Sequence, residues 1–452
     1  MDRREVLGAA AAAGLLASQV AEASARPASE PRLADVSALR GKPLLDRERA
    51  TSFMKREGLD AIVCCHAANI FQLTSHWPLL ERMGASGSAV AILPADPRAP
   101  VALVMGQFSY YYGVIDDGLP PGVEPFLYTS PLGHGTDAGN PDGEPPAAAP
   151  SMFRVVDAAA LQPRERARRA ASEAAAPYSA GVGSALRRAL QALRLSTGRL
   201  GADDWQAADA LAFAAPVAQV VRAEDTLRRI RRVKTPNEVA IMRLVAQANA
   251  EAALAAARAA REMRTARALR ARYYSEAVAR GLRPVFMVVD GITSDYYDEP
   301  LREGQGLLID CVSSLLNYHG DFARTVFMGE PSARMKLATR AIAECWDSVR
   351  DALRPGMSYS AIRALGASTL KKQGYDVQVG INPHGVGLWH GDDPRGVSAT
   401  ADPLLEEGMV LSVDFPMFDQ GAGGTAHLED LSLITANGAV LLNASTERTI
   451  SV

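Results

Sequence analysis

The sequence predicts a two-domain α/β protein whose larger, C-terminal domain consists of two related halves. Three observations carry this expectation. The 452 residues exceed what a single hydrophobic core usually organises. From about residue 46 to 225, strand-like runs such as AIVCC, AVAILP and VALVMG alternate with helical stretches such as PRERARRAASEAAA, the pattern of a small α/β domain. Beyond it one order of elements appears twice. Helical sequence from Asn237 to Arg280 leads to a first acidic hairpin, and helical sequence from Arg334 to Gly374 leads to His384 and a second one.

Taken from the N-terminus, Asp2-Arg3-Arg4-Glu5-Val6-Leu7 precedes an Ala-rich apolar stretch from Gly8 to Val20 and the small residues Ala23-Ser24-Ala25. Paired arginines, a weakly apolar middle and an A-x-A ending resemble a twin-arginine export signal over residues 1–25, so a periplasmic or secreted protein is expected. Residues 26–45 contain Pro and Ser and read as an exposed leader, and residues 46–225 as the first domain. Within that domain, residues 131–150 are too rich in Gly and Pro to pack as an element, and form a long loop, either a solvated insertion or a lid. No later run of about 18 apolar residues is seen to span a membrane.

Thr235-Pro236-Asn237-Glu238 places a hydroxyl at N-cap, proline at N1 and glutamate at N3, a capping box that opens the second domain, residues 226–452. Just before it, the basic run Arg228 to Lys234 lacks interleaved aromatics, and reads as a solvated helix face or linker. The net charge of -3 gives no electrostatic reason to expect nucleic acid. Cys64, Cys65, Cys311 and Cys345 lack metal-binding or CxxC spacing and read as buried thiols, with a Cys311–Cys345 disulfide left open.

The chemistry concentrates in two segments. GLLIDCVSSLLNYHGDFARTVF carries Asp310 and Asp321, read as two strands joined by a turn at Asn317 to Gly320. MVLSVDFPMFDQGAGGTAHLEDLSLI carries Asp414 and Glu429, read as a second hairpin with strands at Met409 to Phe415 and His427 to Ile434. His384 lies between them in PHGVGLWH. Singly, each acid is an ordinary turn or capping residue. Four carboxylates and one imidazole, with acids closing apolar runs such as LLID and VLSVD, are an oxygen-rich donor set suited to two divalent ions.

These residues resemble the pita-bread metalloenzymes, the creatinase, prolidase and Xaa-Pro aminopeptidase group. The landmarks occur in the family's order: GLDAIVCCHAANIFQLTSHW, RRIRRVKTPNEVAIMRLVAQA, LREGQGLLID with YHGDFARTVF, LRPGMSYSAIRAL, PHGVGL, EEGMVLSVD and HLEDLSLI. The resemblance implies a creatinase-like N-terminal α/β domain and a pseudo-symmetric pita-bread catalytic domain. It implies Asp310, Asp321, His384, Asp414 and Glu429 as ligands of two divalent metal ions, with Mn, Co, Zn and Fe all compatible. It further implies Asp414 as ligand and proton acceptor, and a homodimer, while His390 reads either as a hydrogen-bond donor to the substrate carbonyl or its tetrahedral intermediate or as a surface-loop histidine.

The chain departs from the family at four places. Asp414 stands where Glu is usual, VDGITSDYYDEPLREGQG has no histidine before the first ligand, and Gly380 replaces a histidine four residues before His384. His390 follows His384 by six residues instead of seven, and Gly391, Asp392 and Asp393 replace the glutamate that follows it. The leading expectation is an exported hydrolase of a peptide or small amide bond, Xaa-Pro peptidase-like. The alternatives are a creatinase-like C–N hydrolase or lyase on a small metabolite, and a degenerate binding protein. The lyase reading is weakened by Val312, where family lyases carry a further acid. Trp389, Tyr296 and Tyr297 are read either as pocket lining or as ordinary packing.

Overall fold

The computed structural model describes residues 36, 39, 41–129, 155–175, 177–375, 380–394, 402–419 and 421–452. The predicted export signal, most of the leader and the 131–150 loop lie outside these residues. The first region is one six-stranded sheet of β1 (Ala61–Cys64), β2 (Ala89–Pro94), β3 (Val101–Gly106), β4 (Val123–Tyr128), β5 (Arg199–Ala202) and β6 (Gln219–Arg222), in the order β4-β3-β2-β1-β5-β6. The three apolar runs read from the sequence form β1, β2 and β3, all of them buried. Their apolar character is continuous instead of alternating because both faces are covered. Met54 and Ile70 pack on one side, Leu186, Leu190 and Leu211 on the other.

The second region contains β7 (Arg283–Val289), β8 (Gly306–Leu315), β9 (Tyr318–Phe327), β10 (Asn382–Gly385), β11 (Val410–Asp414), β12 (Glu429–Asp430), β13 (Ser432–Thr435), β14 (Gly438–Leu441) and β15 (Thr449–Ser451). They build two sheets, β12-β9-β8-β7 with β15 also on β9, and β10-β11-β13-β14. Helices Pro236–Arg258 and Ala266–Ala279 share a core with the first sheet, Ala333–Ala352 and Tyr359–Lys372 with the second. The doubled order of elements is thus present as two helix-backed sheets. The capping box is formed as read: Glu238 N–H donates to Thr235 Oγ1 at 3.3 Å, and Thr235 N–H to Glu238 Oε2 at 2.7 Å. Helix Pro236–Arg258 is long and apolar enough to cross a bilayer, contrary to the sequence reading, but most of that stretch is buried inside the domain as a core helix.

Several expectations are corrected. The β8–β9 turn is Leu316–Asn317, both left-handed at φ 47° and 66°, a two-residue turn that fits the strand twist. Gly320 lies within β9, where an added Cβ would sit 2.9 Å from Asn249 Cβ and 3.0 Å from the Val245 carbonyl oxygen, so glycine admits the long helix. Gly320→Ala is expected to destabilise the protein by about 1–3 kcal/mol through overpacking, checked by urea denaturation.

The second acidic segment is no simple hairpin. β11 pairs with β10 and β13, while β12 pairs with β9, so the chain changes sheets at the buried Leu431. The leader's end is not exposed either: Leu44 is buried in the core of the second region. Nor is the basic run a solvated face, since Arg231 and Lys234 are buried. All four cysteines are free and buried, which removes the Cys311–Cys345 disulfide.

Candidate metal centre

Strand register places the acids. Asp310 on β8 is opposite Ala323 on β9, and Ala323 is opposite Glu429 on β12, so the two carboxylates flank a residue with almost no side chain. Directly opposed residues share a face, and Asp321, opposite Val312, sits two residues along on the same one. The reverse face anchors the two-residue β12. Arg324, fully buried, donates to the Glu429 carbonyl at 2.8 Å and to both oxygens of Asp430 at 2.9 and 3.0 Å. Asn443 Nδ2 completes Asp430 at 2.9 Å.

The other sheet supplies His384 and Asp414. Asn382 is opposite Asp414, and His384 opposite Ser412. Asn382 Nδ2 donates to Asp414 Oδ2 at 3.0 Å, and the Ser412 hydroxyl donates a short hydrogen bond across to Glu429 Oε1. His384 Nε2 then lies 3.7 Å from Asp321 Oδ2, 3.7 Å from Asp414 Oδ1 and 3.6 Å from Glu429 Oε1. Donors about 2.0–2.2 Å from a shared tetrahedral cation are about 3.3–3.6 Å apart, so these separations lie at and just beyond the upper edge of a coordination shell. The His384 Nδ1–H donates to the His390 carbonyl at 3.2 Å, which leaves the Nε2 lone pair facing the carboxylates.

A direct sign that the pocket suits cations is a set of buried atoms without hydrogen-bond partners. Asp310 Oδ1, both Asp321 oxygens, His384 Nε2 and Glu429 Oε2 form none among the described residues. Orphaned polar atoms are costly unless something else meets them. Three overlapping donor groups, Asp321–His384–His390, Asp310–His427–Glu429 and His384–Asp414–Glu429, each have their ligand atoms within 4.8 Å of one another. All five residues read from the sequence as ligands are therefore brought together.

Without cations, protons balance the charge. Burial pushes the Asp310 carboxyl well up, with the Glu429 and Asp321 charges adding to it. Burial opposes charge on Asp321 as well, but the His390 and His384 rings beside it hold its carboxyl below the ordinary value. Despite burial, the carboxylates around His384 raise it well above the usual imidazole range, and Asp321 raises His390 to about 9. A cation needs His384 neutral and Asp310 ionised, so binding releases protons and affinity rises with pH. Calorimetric titration of zinc in buffers of different ionisation enthalpy is expected to show that release.

His390 is close to the donor set although 34% of its side chain is exposed. Its Nε2 is 3.2 Å from Asp321 Oδ2, and its ring packs on His384 and Phe286 with centroids 4.9 and 5.2 Å away. The two aspartates after it hold the loop. Asp393 Oδ2 accepts the Gly385 N–H at 2.6 Å and the Tyr359 hydroxyl at 3.0 Å. Asp392 donates its N–H to the Gly385 carbonyl at 2.8 Å and accepts Arg231 Nε at 2.8 Å, with Lys234 Nζ 3.9 Å away. Arg231 also donates to Asn69 Oδ1 at 2.6 Å, and Asn69 to Asp203 and Glu224 at 2.9 and 2.7 Å. The basic run thus clamps the histidine-bearing loop to the first region.

Trp389 packs against His66 and His319, whereas Tyr296 is 89% exposed. Sequence reasoning missed Asn382 and His427. Asn382 was legible in part, two residues before His384 and so on the same face of a strand. His427 was legible in the same way, two residues before Glu429 in the strand expected from His427 to Ile434.

Residues 238–436 match the sequence pattern of Metallopeptidase family M24. The chain is 26% identical over 244 residues to the Xaa-Pro dipeptidase of Pyrococcus furiosus, a match spanning 51% of this chain and 68% of the relative. To the probable dipeptidase PepE of Mycobacterium tuberculosis it is 29% identical over 235 residues, 49% of this chain and 61% of the relative. The fold is similar to the prolidase of Pyrococcus horikoshii OT3, with TM-score 0.59 and 18% identity over 89% of this chain and 98% of the other. It is likewise similar to the X-Pro aminopeptidase of Thermotoga maritima, with TM-score 0.62 and 14% identity over 88% and 99%.

Proposed function

The chain belongs to the pita-bread metalloenzyme family and carries the domain of a metal-dependent hydrolase, and from that premise we propose that it cleaves peptide or small amide bonds at a centre of two divalent cations, with Xaa-Pro dipeptides as the first substrate class. The observation that carries this is the convergence of Asp310, Asp321, His384 and Glu429 on one pocket with buried ligand atoms that no protein group satisfies among the described residues. Asp414 joins them through Oδ1, its other oxygen being held by Asn382.

Once bound, the cations supply Lewis acidity toward a carbonyl oxygen and lower the pKa of water. The residues do the rest. Asp414, half turned to solvent at 20% side-chain exposure, is placed to accept a proton, and His390 presents Nε2 at the edge of the pocket for a developing oxyanion. Mn, Co, Zn and Fe all suit the donor set. The resemblance of residues 1–25 to an export signal supports export, and the family resemblance supports a homodimer.

The test is hydrolysis of a dipeptide and Xaa-Pro panel by purified protein loaded separately with each metal, alongside metal analysis. Cleavage of Xaa-Pro peptides with near-stoichiometric metal is expected. A metal-loaded protein that cleaves no amide in the panel overturns the reading.

A further inference from the structure

We propose that His427 is a positioning residue of this centre, a histidine held in one tautomer whose Nε2–H faces Glu429 and Asp414 without coordinating a cation. The inference rests on the metallohydrolase reading above and deepens it. His427 is buried and its backbone is fixed on both sides by Thr325, whose Oγ1 accepts the His427 N–H at 3.0 Å and donates to its carbonyl at 3.2 Å. The ring is fixed as well, since the Phe415 N–H donates to Nδ1 at 3.3 Å. A ring nitrogen that accepts from an amide carries no proton, so in the neutral ring the proton sits on Nε2.

Nε2 faces Glu429 Oε2 at 3.4 Å and Asp414 Oδ1 at 3.8 Å. Distance alone groups His427 with Asp310 and Glu429 as possible metal donors. The tautomer excludes that role, because a protonated nitrogen has no lone pair to give. Phe415 directly follows Asp414, and His427 stands two residues before Glu429, so this imidazole ties the end of β11 to the start of β12 across the two sheets. Asp414 reaches one methylene less far than the glutamate usual in the family. Asn382 on one oxygen and His427 beside the other restrict where the short carboxylate points.

The experiment uses the full chain with zinc as probe, comparing His427→Leu, His427→Gln and His427→Asn. His427→Leu is expected to weaken zinc binding about 10–100-fold. The number of coordinated imidazoles, read by X-ray absorption of the zinc-loaded proteins, stays unchanged. His427→Gln, whose amide reaches the Nε2 position, recovers most of the affinity, and His427→Asn does not. Should the leucine variant fail to fold, as judged by circular dichroism, the Gln-against-Asn ordering decides. Wild-type affinity in the leucine or asparagine variant overturns the proposal, as does loss of one imidazole from the zinc shell on substitution. Wild-type protein that takes up no zinc sinks the metallohydrolase reading itself, and this inference with it.

Discussion

Glu429→Gln is expected to strip at least one cation from the protein and to lower amide hydrolysis by about 10³-fold, the equivalent of about 4 kcal/mol of transition-state stabilisation. Glu429 belongs to two of the three donor groups, with Oε1 turned to His384 and Ser412 and Oε2 to His427. In the metal centre proposed above, Glu429 would be one of the residues that hold the cations. Glutamine keeps the shape and a carbonyl oxygen for the Ser412 hydroxyl, so the fold persists while the charge and one acceptor are lost. Metal analysis with kcat/KM on the best Xaa-Pro substrate measures both effects, and a variant with full metal content and activity would remove Glu429 from the centre.

Asp392→Ala has the largest expected effect on stability, a loss of about 3–5 kcal/mol. Arg231 is fully buried and Lys234 nearly so, and burial pulls the lysine's pKa below its ordinary value against the opposing pull of Asp392. Removing Asp392 leaves both cations inside without their shared acid, and frees the loop that presents His390. An uncompensated buried charge costs more than the ion pair contributes, so Asp392→Leu combined with Arg231→Met should be less destabilised than Asp392→Ala. Thermal and urea unfolding give the comparison. A loss of under about 1 kcal/mol in the single variant would mean that other groups already satisfy the two cations.

How much of this was legible depended on how local the signal was. β2 and β3 were read residue for residue because a strand buried on both faces needs an unbroken apolar run. The Thr235–Glu238 capping box was equally plain, since its hydrogen bonds span three residues. The acids at 310, 321, 414 and 429 stood out because each closes or interrupts an apolar stretch where a charge needs a reason. Partnership across the fold was not legible. Nothing near Arg231 points to Asp392, 161 residues away, and so a buried clamp read as a solvated face.

The sequence by itself determined the element types, the repeated α/β order, the donor chemistry and the family likeness, because propensity, period and ligand identity are properties of short segments. Only the tertiary structure decided that β12 leaves β11 to pair with β9, that Ala323 separates Asp310 from Glu429, and that Phe415 sets the proton on His427. Those facts depend on strand register and on contacts between residues distant in the chain, which a string of residues leaves open until close packing selects one arrangement.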